Sequence, residues 1–165
     1  AYFHSTCGGR TMSAWEAFKQ DLPYLVGVPC PYCHDSPRRD WKVEVPLAEI
    51  AKGLKREGYA SGAIRSIGVD GQEKTGGSGA LRITTDNGKY LVSPAELRKA
   101  VGFTRLTGPN FAVNVHGNTA RFDGHGFGHG VGLCQWGAKG LAEKGHSYEA
   151  ILRYYYAGAE LARLY

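Results

Sequence analysis

The residues best equipped for chemistry lie in one glycine-rich stretch, Gly124–Ala138, which reads GHGFGHGVGLCQWGA. Glycine costs backbone entropy, so this run predicts unusual dihedral angles or the close approach of another group. His125 and His129 lie four residues apart, but the interleaved glycines disfavour a helix and no glutamate follows His125, which excludes an HExxH site. Polar side chains, bare backbone and Trp136 suit a sugar-binding wall, a metal or phosphate loop, or a tight connection.

The cysteines predict a metal site. Cys30 and Cys33 form a CPYC pair followed directly by His34, while His4 and Cys7 lie three residues apart upstream. Thiolate and imidazole ligands of this kind build tetrahedral structural zinc sites. We therefore expect zinc to be bound by Cys7, Cys30 and Cys33 with His4, or alternatively His34, as the fourth ligand.

Other chemistry at the cysteines stays open from the sequence. Cys7 could form a disulfide with Cys30 or Cys33, or the thiols could be free, although no thioredoxin-like βαβ unit surrounds the CPYC pair. Cys134 lies in the apolar run 131–136, and we interpret it as a small buried hydrophobe.

Hydrophobic periodicity and turn signals place these residues on short elements. Strands are expected at 1–3, 41–45, 64–69, 81–84, 90–92, 111–115, 120–122 and 161–165, and helices at 14–18, 46–57, 94–101, 138–144 and 148–156. A turn at 70–71 and a glycine-rich connection at 76–79 join some of them. The fold class is α+β, with mixed, mostly antiparallel strands and hairpins and several short helices around a substrate cleft.

Length and charge narrow the function. A chain of 165 residues fits one domain, 1–165, and its net charge of +5 is spread along solvated faces rather than gathered into a nucleic-acid site. No apolar stretch approaches the roughly 20 residues of a membrane span, and no signal peptide is present. The chain opens abruptly on a strand end, so we expect an N-terminal segment to be missing.

Three segments resemble the SpoIID/LytB family, the stage II sporulation protein D and amidase-enhancer proteins. Tyr2–Thr11 (YFHSTCGGRT) is similar to the family element YHSxSGGxT, and Pro23–Val28 (PYLVGV) to PYLxxV. Gly126–Leu161 looks like the C-terminal signature almost throughout. The matches bracket nearly the whole chain, whereas Val45–Phe111 is matched only by general pattern.

The resemblance implies cell-wall work. Catalytic members are lytic transglycosylases that cleave peptidoglycan between N-acetylmuramic acid and N-acetylglucosamine and prefer peptide-stripped strands. The resemblance also implies an exported, extracytoplasmic protein, and some members bind zinc. Partners would be glycan strands, a cell-wall amidase or the protein's own N-terminal segment.

The family's catalytic glutamate is not matched in this sequence. It belongs to an upstream element similar to EALKAQAVAARTY, which is absent here, so the catalytic residue of this chain is unknown. By residue-to-residue match, the resemblance instead implies a set of substrate-binding residues: His129, Gln135, Tyr155, Tyr156, Ser5 and Arg10.

Three functions follow from these patterns. The first is a transglycosylase region that binds and cleaves glycan. The alternative is a non-catalytic module that binds glycan or stimulates an amidase. The third is a metal-dependent hydrolase that uses His125, His129 and a cysteine.

Overall fold

A computed structural model describes residues 1–70 and 79–162, which fall into two units. Unit 1 combines Ala1–Arg39 with Gly126–Tyr165, and unit 2 is Asp40–His125. The predicted α+β class is confirmed. The single domain predicted over 1–165 stays a prediction, and the turn, connection and strand predicted at 70–71, 76–79 and 161–165 lie wholly or partly outside the described residues.

Most helices and strands agree with the predicted ones to within a few residues, but the two-residue strand Leu133–Cys134 was not predicted. The strands are β1 (Phe3–His4), β2 (Asp40–Pro46), β3 (Ile64–Asp70), β4 (Ala80–Thr85), β5 (Gly88–Val92), β6 (Asn110–His116), β7 (Thr119–His125) and β8 (Leu133–Cys134). The helices are α1 (Ala14–Phe18), α2 (Leu47–Arg56), α3 (Pro94–Val101), α4 (Gln135–Glu143) and α5 (Tyr148–Tyr155), with a 3-10 turn at Pro31–Cys33.

The described residues of unit 2 form two antiparallel three-stranded sheets and two helices. The strand orders are β2-β7-β6 and β3-β4-β5. The hairpins turn within one residue of where the sequence predicts, at 86–87 and 117–118, and a glycine with positive φ lies at each turn, Gly88 (139°) and Gly117 (57°). In the first sheet, Val43 and Val113 both pair with Phe122, so apolar side chains line up on one face.

Unit 2 has one continuous apolar core. Among the described residues, its buried side chains come from both sheets, both helices and the segment after α3: Val45, Leu47, Ile50, Leu54, Ile64, Ile67, Leu81, Ile83, Val92, Leu97, Ala100, Leu106, Phe111, Ala120 and Phe122. Burying a large aliphatic or aromatic side chain contributes about 1.5–3 kcal/mol, so this cluster alone stabilises the unit substantially.

Unit 1 is held by short contacts between its two chain segments. The two-residue strands β1 and β8 run parallel and pair Phe3 with Leu133 and His4 with Cys134. Single backbone bridges join 6 to 127, 10 to 29 and 12 to 131. The motif segments near the start and end of the sequence therefore lie side by side.

The alternating glycines make this pairing possible. The glycines at 126, 128, 130 and 132 all have positive φ, between 72° and 116°, which L-residues rarely adopt. A Cβ atom on Gly132 would overlap the carbonyl of Tyr2. The group that approaches the glycine-rich stretch is thus the chain's own first strand.

Several details differ from the sequence prediction. His125 ends the regular strand β7 in unit 2, whereas the sequence analysis placed it in the glycine-rich loop. Helix α4 begins at Gln135, three residues earlier than predicted, because the Cys134 sulfur caps it by accepting the amide of Gly137 at 3.3 Å. No helix formed by residues 1–70 or 79–162 is long and apolar enough to cross a membrane.

Candidate functional site

Four buried cysteine sulfurs meet in unit 1. The sulfur atoms of Cys7, Cys30, Cys33 and Cys134 all lie within 4.8 Å of one another. Each side chain is at most 5% exposed. All four are free thiols, and the Cys7 and Cys33 sulfurs are 3.5 Å apart, a hydrogen-bonding distance.

Three separate parts of the sequence supply these sulfurs. Cys7 follows β1, Cys30 precedes the 3-10 turn, Cys33 ends that turn, and Cys134 ends β8. Pairing of β1 with β8 brings the first and last of these segments together. Gly137 completes the fit, since a Cβ atom there would overlap the Cys30 sulfur.

Backbone and side-chain donors surround the sulfurs. The amides of Cys7 and Gly137 both donate to the Cys134 sulfur at 3.3 Å. The Gly9 amide donates to the Cys7 sulfur at 3.4 Å. Donors of this kind favour thiolates, which are the form that binds metals.

The thiols shift one another's pKa values. Hydrogen bonds from the other three thiols, with that of Cys30 the largest, lower the pKa of Cys134 below its ordinary value. The bond to Cys134, supported by burial, raises the pKa of Cys7. For Cys33, the bond to Cys134 raises the pKa, but the bonds to the other two thiols lower it to about 6. The cluster therefore loses its first proton easily.

Four sulfurs at this spacing could hold one metal ion. A set of four thiolates in tetrahedral arrangement suits zinc or an iron–sulfur centre. Cys134, interpreted from the sequence as a buried hydrophobe, lies in one group of sulfurs with Cys7, Cys30 and Cys33, whereas the predicted fourth ligand, His4 or His34, stays a prediction. The even cysteine count was the signal that could have indicated this.

The two predicted histidine ligands lie outside the sulfur group. His34 is exposed, with its Nδ1 atom 3.2 Å from the Pro31 carbonyl and its Nε2 atom 3.3 Å from Asp35. His4 is 4% exposed and donates from Nδ1 to the Val131 carbonyl at 3.1 Å. The buried Nε2 atom of His4 has no hydrogen-bond partner among the described residues, and this side chain contributes to lowering the Cys134 pKa. His4 therefore supports the cluster from beside Cys134.

His129 lies in an aromatic cluster of unit 1. Its ring is 5.6 Å from that of Phe18, 5.7 Å from that of His4 and 6.2 Å from that of Tyr2. Nδ1 accepts the amide of Val131 at 3.1 Å, so the proton resides on Nε2, which donates to the Phe3 carbonyl at 2.9 Å. Both ring nitrogens thus hold the backbone, and the predicted contact of His129 with sugar stays a prediction.

The predicted tyrosines divide into one core residue and one groove residue. Tyr155 is 1% exposed and its hydroxyl lies 3.1 Å from the Cys30 sulfur, so it packs against the cysteines, and its predicted contact with sugar stays a prediction. Burial, with the Cys30 bond second, raises the pKa of Tyr155. Tyr156 is half-buried and donates from its hydroxyl to the Tyr2 carbonyl at 2.7 Å.

Tyr156 lines a mostly apolar groove of about 340 Å³ in unit 1. The groove residues are Ala1, Tyr24, Leu152, Arg153, Tyr156, Ala159 and Leu161. Tyr2 connects this groove to the cluster around His129, because it packs against Phe18 and accepts the Tyr156 hydroxyl. Neither Tyr2 nor Phe18 was predicted as a site residue; the signal for Tyr2 was its place in the motif segment Tyr2–Thr11, whereas Phe18 lies outside the motif segments.

The remaining predicted substrate residues of unit 1 differ in whether their side chains already form hydrogen bonds. Gln135 is exposed and has no hydrogen-bond partner among the described residues. Ser5 lies 3.4 Å from the Thr6 hydroxyl. The Arg10 guanidinium donates to the carbonyls of Thr11 and Gly27 at 3.3 and 3.5 Å, so it holds backbone. Their substrate contacts stay predictions.

The histidine pair of the hydrolase hypothesis is divided between the units. His125 belongs to unit 2, where its Nδ1 atom is 2.6 Å from Asp40, while His129 belongs to unit 1. Within residues 1–70 and 79–162, the group of side chains spaced to hold a metal is the four-cysteine cluster, which contains neither histidine.

The carboxylates do not supply an evident general acid. Glu143 pairs with Lys139, and a backbone hydrogen bond lowers the pKa of Glu149. Lys42 lowers the pKa of Asp123. Among the described residues, the carboxyl groups with shifted pKa values are thus shifted downward, opposite to the shift a general acid needs.

Comparison with known proteins places this geometry in context. A family model described as "Domain of unknown function (DUF8618)" matches residues 34–132. An uncharacterized protein of Brachyspira hyodysenteriae is 32% identical over 160 residues, covering 97% of this chain and 42% of that protein. Stage II sporulation protein D of Bacillus subtilis is 31% identical over 166 residues, covering 98% of this chain and 45% of that protein.

The amidase enhancer of Bacillus subtilis also matches, with 37% identity over 90 residues, which cover 54% of this chain and 12% of that protein. The chain spans less than half the length of the curated relatives it matches. These matches confirm the relationship that the sequence motifs predicted.

Proposed function

The chain belongs to the family described as "Domain of unknown function (DUF8618)" and is related to the SpoIID/LytB proteins, and we propose that it is the glycan-binding region of a peptidoglycan lytic transglycosylase. Its substrate would be peptide-stripped glycan strands made of N-acetylmuramic acid and N-acetylglucosamine. The names of its relatives, stage II sporulation protein D and amidase enhancer, support a role at the cell wall. The location that accompanies this role is extracytoplasmic.

The observation that carries the proposal is the convergence of all three motif segments in unit 1. Tyr2–Thr11 pairs with Gly126–Leu161 through β1 and β8, and the bridge between Arg10 and Pro29 adds the segment that follows Pro23–Val28. The first two segments lie near the start of the sequence and the third lies near its end. Their meeting in one unit is what a shared binding surface requires.

An aromatic face beside His129 supports sugar binding. Phe18 packs against the rings of Tyr2 and His129 while remaining 37% exposed. Trp15 lies three residues earlier on α1, on the same side of the helix, and is 60% exposed; Phe3 is 58% exposed. Flat apolar faces with polar neighbours are suited to stacking against sugar rings.

We assign the four-cysteine cluster to structural zinc. Cys7, Cys30, Cys33 and Cys134 would fill all four positions of a tetrahedral ion, which leaves no position for water or substrate. Zinc bound in this way would supply a cross-link between the two chain segments of unit 1. The surrounding residues would keep the ion dry and fixed.

We propose glycan binding for this chain, and glycan cleavage only for a longer protein that contains it. The resemblance implies a glutamate that acts first as acid and then as base, and no glutamate of this sequence matches it. We therefore propose that this chain binds and orients glycan, and we assign the acid's role to none of its residues.

The test is binding of purified protein to glycan strands with and without their peptides, measured by co-sedimentation. We expect binding to the peptide-free strands. Phe18→Ala should weaken it about tenfold, because one aromatic stacking contact is worth about 0.5–1.5 kcal/mol.

Phe103→Ala is the control, since Phe103 is an exposed phenylalanine of unit 2 (58% exposed, against 37% for Phe18) and its loss should leave binding unchanged. Failure of the unmodified protein to bind strands would contradict the proposal. Stimulation of a cell-wall amidase without glycan binding would favour the amidase-enhancer alternative.

A further inference from the structure

Unit 2 contains a second cavity, which the proposed function does not use. Its volume is about 340 Å³, within the range of small-molecule sites. It is lined by Val45, Glu49, Lys52, Arg56, Ala100, Val101 and Arg105. The floor is apolar and most of the rim is charged.

Helix α2 presents two unneutralised cations to this cavity. Lys52 and Arg56 lie four residues apart and so share one face of the helix. Neither has an ion-pair partner among the described residues. Like charges at this spacing repel each other and destabilise a helix. An anionic ligand bound between them would reduce this repulsion.

The nearby acidic groups are already engaged. Glu49, on the same helix, forms an ion pair with Arg105, and Glu57 pairs with Lys99 at 2.6 Å. The first of these pairs lies on the rim and cancels its own charge. The remaining charge at the cavity is positive.

Close packing of α2 on α3 fixes the geometry of the rim. A Cβ atom on Gly53 would overlap the carbonyl of Ala100, so the two helices touch at backbone distance. The Arg56 guanidinium donates to the same carbonyl at 3.2 Å. This contact holds Arg56 at the cavity mouth and leaves its other donors free for a ligand.

The floor favours a ligand with a small apolar group. Val45 and Ala100 are almost completely buried and Val101 is half-buried. A fork of arginine donors matches a carboxylate, while the lysine adds a point charge. We infer that this cavity binds the terminal carboxylate of a short peptide that ends in a small apolar residue.

The test uses the whole chain and heteronuclear NMR titration with N-acetyl-Ala-Ala. We expect saturable shifts of amide resonances on α2 and α3 with a Kd in the millimolar range, weakening as salt rises. The same peptide as its C-terminal amide should give no saturable shifts. Inorganic phosphate should bind more weakly than the peptide, because it leaves the apolar floor empty.

Matched variants locate the effect. Lys52→Met should weaken peptide binding about fivefold, while Lys55→Met, an exposed lysine of the same helix that does not line the cavity, should leave it unchanged. Absence of shifts, equal shifts with the amide, or phosphate binding as tightly as the peptide would each overturn the inference. Glycan binding by unit 1 is measured separately, with Phe18→Ala, so the two proposals fail independently.

Discussion

The two units reach stability by different means. Unit 2 buries a single cluster of aliphatic and aromatic side chains. Unit 1 has two small clusters within the described residues, and cysteines make up more than half of the larger one. A unit with so little apolar burial needs a cross-link, which is the role we assign to the cysteines.

The backbone pairing shows the same contrast. In unit 2, β2 and β6 each pair with β7 along seven-residue registers. In unit 1, β1 and β8 pair over two residues, and the other links are isolated bridges. Unit 2 therefore resembles an ordinary antiparallel domain, whereas unit 1 is a set of motif segments assembled around one point.

Removing the metal should produce the largest difference in stability between unit 1 and unit 2. Chelation, or Cys33→Ser, deletes the proposed cross-link, and structural zinc contributes on the order of 10 kcal/mol. Hydrogen exchange measured by mass spectrometry should show unit 1 losing protection while unit 2 keeps it. Equal loss in both units would break the comparison.

A substitution that opens a cavity in the apolar core should destabilise unit 2 and leave unit 1 largely unaffected. Phe122 is completely buried in unit 2, so Phe122→Ala should destabilise that unit by about 3–5 kcal/mol, measured by denaturant unfolding. Val69→Ala is the control, because Val69 is 49% exposed and should cost less than about 0.5 kcal/mol. A small effect of Phe122→Ala would mean that unit 2 does not depend on its core.

Two glycine substitutions in unit 1 should sharpen the account of its close pairing. Gly132 (φ 72°) and Gly145 (φ 85°) both have left-handed backbones, but only at Gly132 would a Cβ atom overlap another strand. Gly145→Ala should cost about 1–2 kcal/mol from backbone strain alone. Gly132→Ala should cost about 1–3 kcal/mol more, measured by thermal unfolding. Equal costs would show that β1 does not pack closely there.

The smallest effect is expected from removing a helix cap, and the loss of stability should be equal in the two units. Ser13 begins α1 in unit 1 and Ser93 begins α3 in unit 2, and both form capping boxes with a glutamate three residues later. Ser13→Ala and Ser93→Ala should each cost about 1 kcal/mol, measured by local hydrogen exchange. A much larger cost at Ser13 would indicate that helix α1 carries more of unit 1 than its short length suggests.

Local signals explain what the sequence could predict. Asn87-Gly88 specifies its hairpin, and Ser93 with Glu96 specifies a helix start, because each acts within a few residues. The alternation of apolar residues in β2 and β6 likewise predicts their half-buried faces. Most of unit 2 follows from such patterns.

Unit 1 depends on contacts between distant residues, which spacing cannot reveal. The sequence predicts Cys134 to be a buried hydrophobe. In the structure, the pairing of β8 with β1 brings its sulfur beside that of Cys7. The resemblance predicts Tyr155 to be a cleft residue, whereas in the structure its hydroxyl contacts the Cys30 sulfur. In both cases the contact that positions the side chain joins residues more than 120 positions apart in the sequence.

Zinc X-ray absorption on the purified protein tests the central claim most directly. The claim is that unit 1 is organised around one ion bound by Cys7, Cys30, Cys33 and Cys134. We predict a single shell of four sulfur atoms at about 2.3 Å from zinc. A nitrogen in the first shell would return His4 or His34 to the ligand set, and protein without zinc whose cysteines are paired as disulfides would contradict the claim.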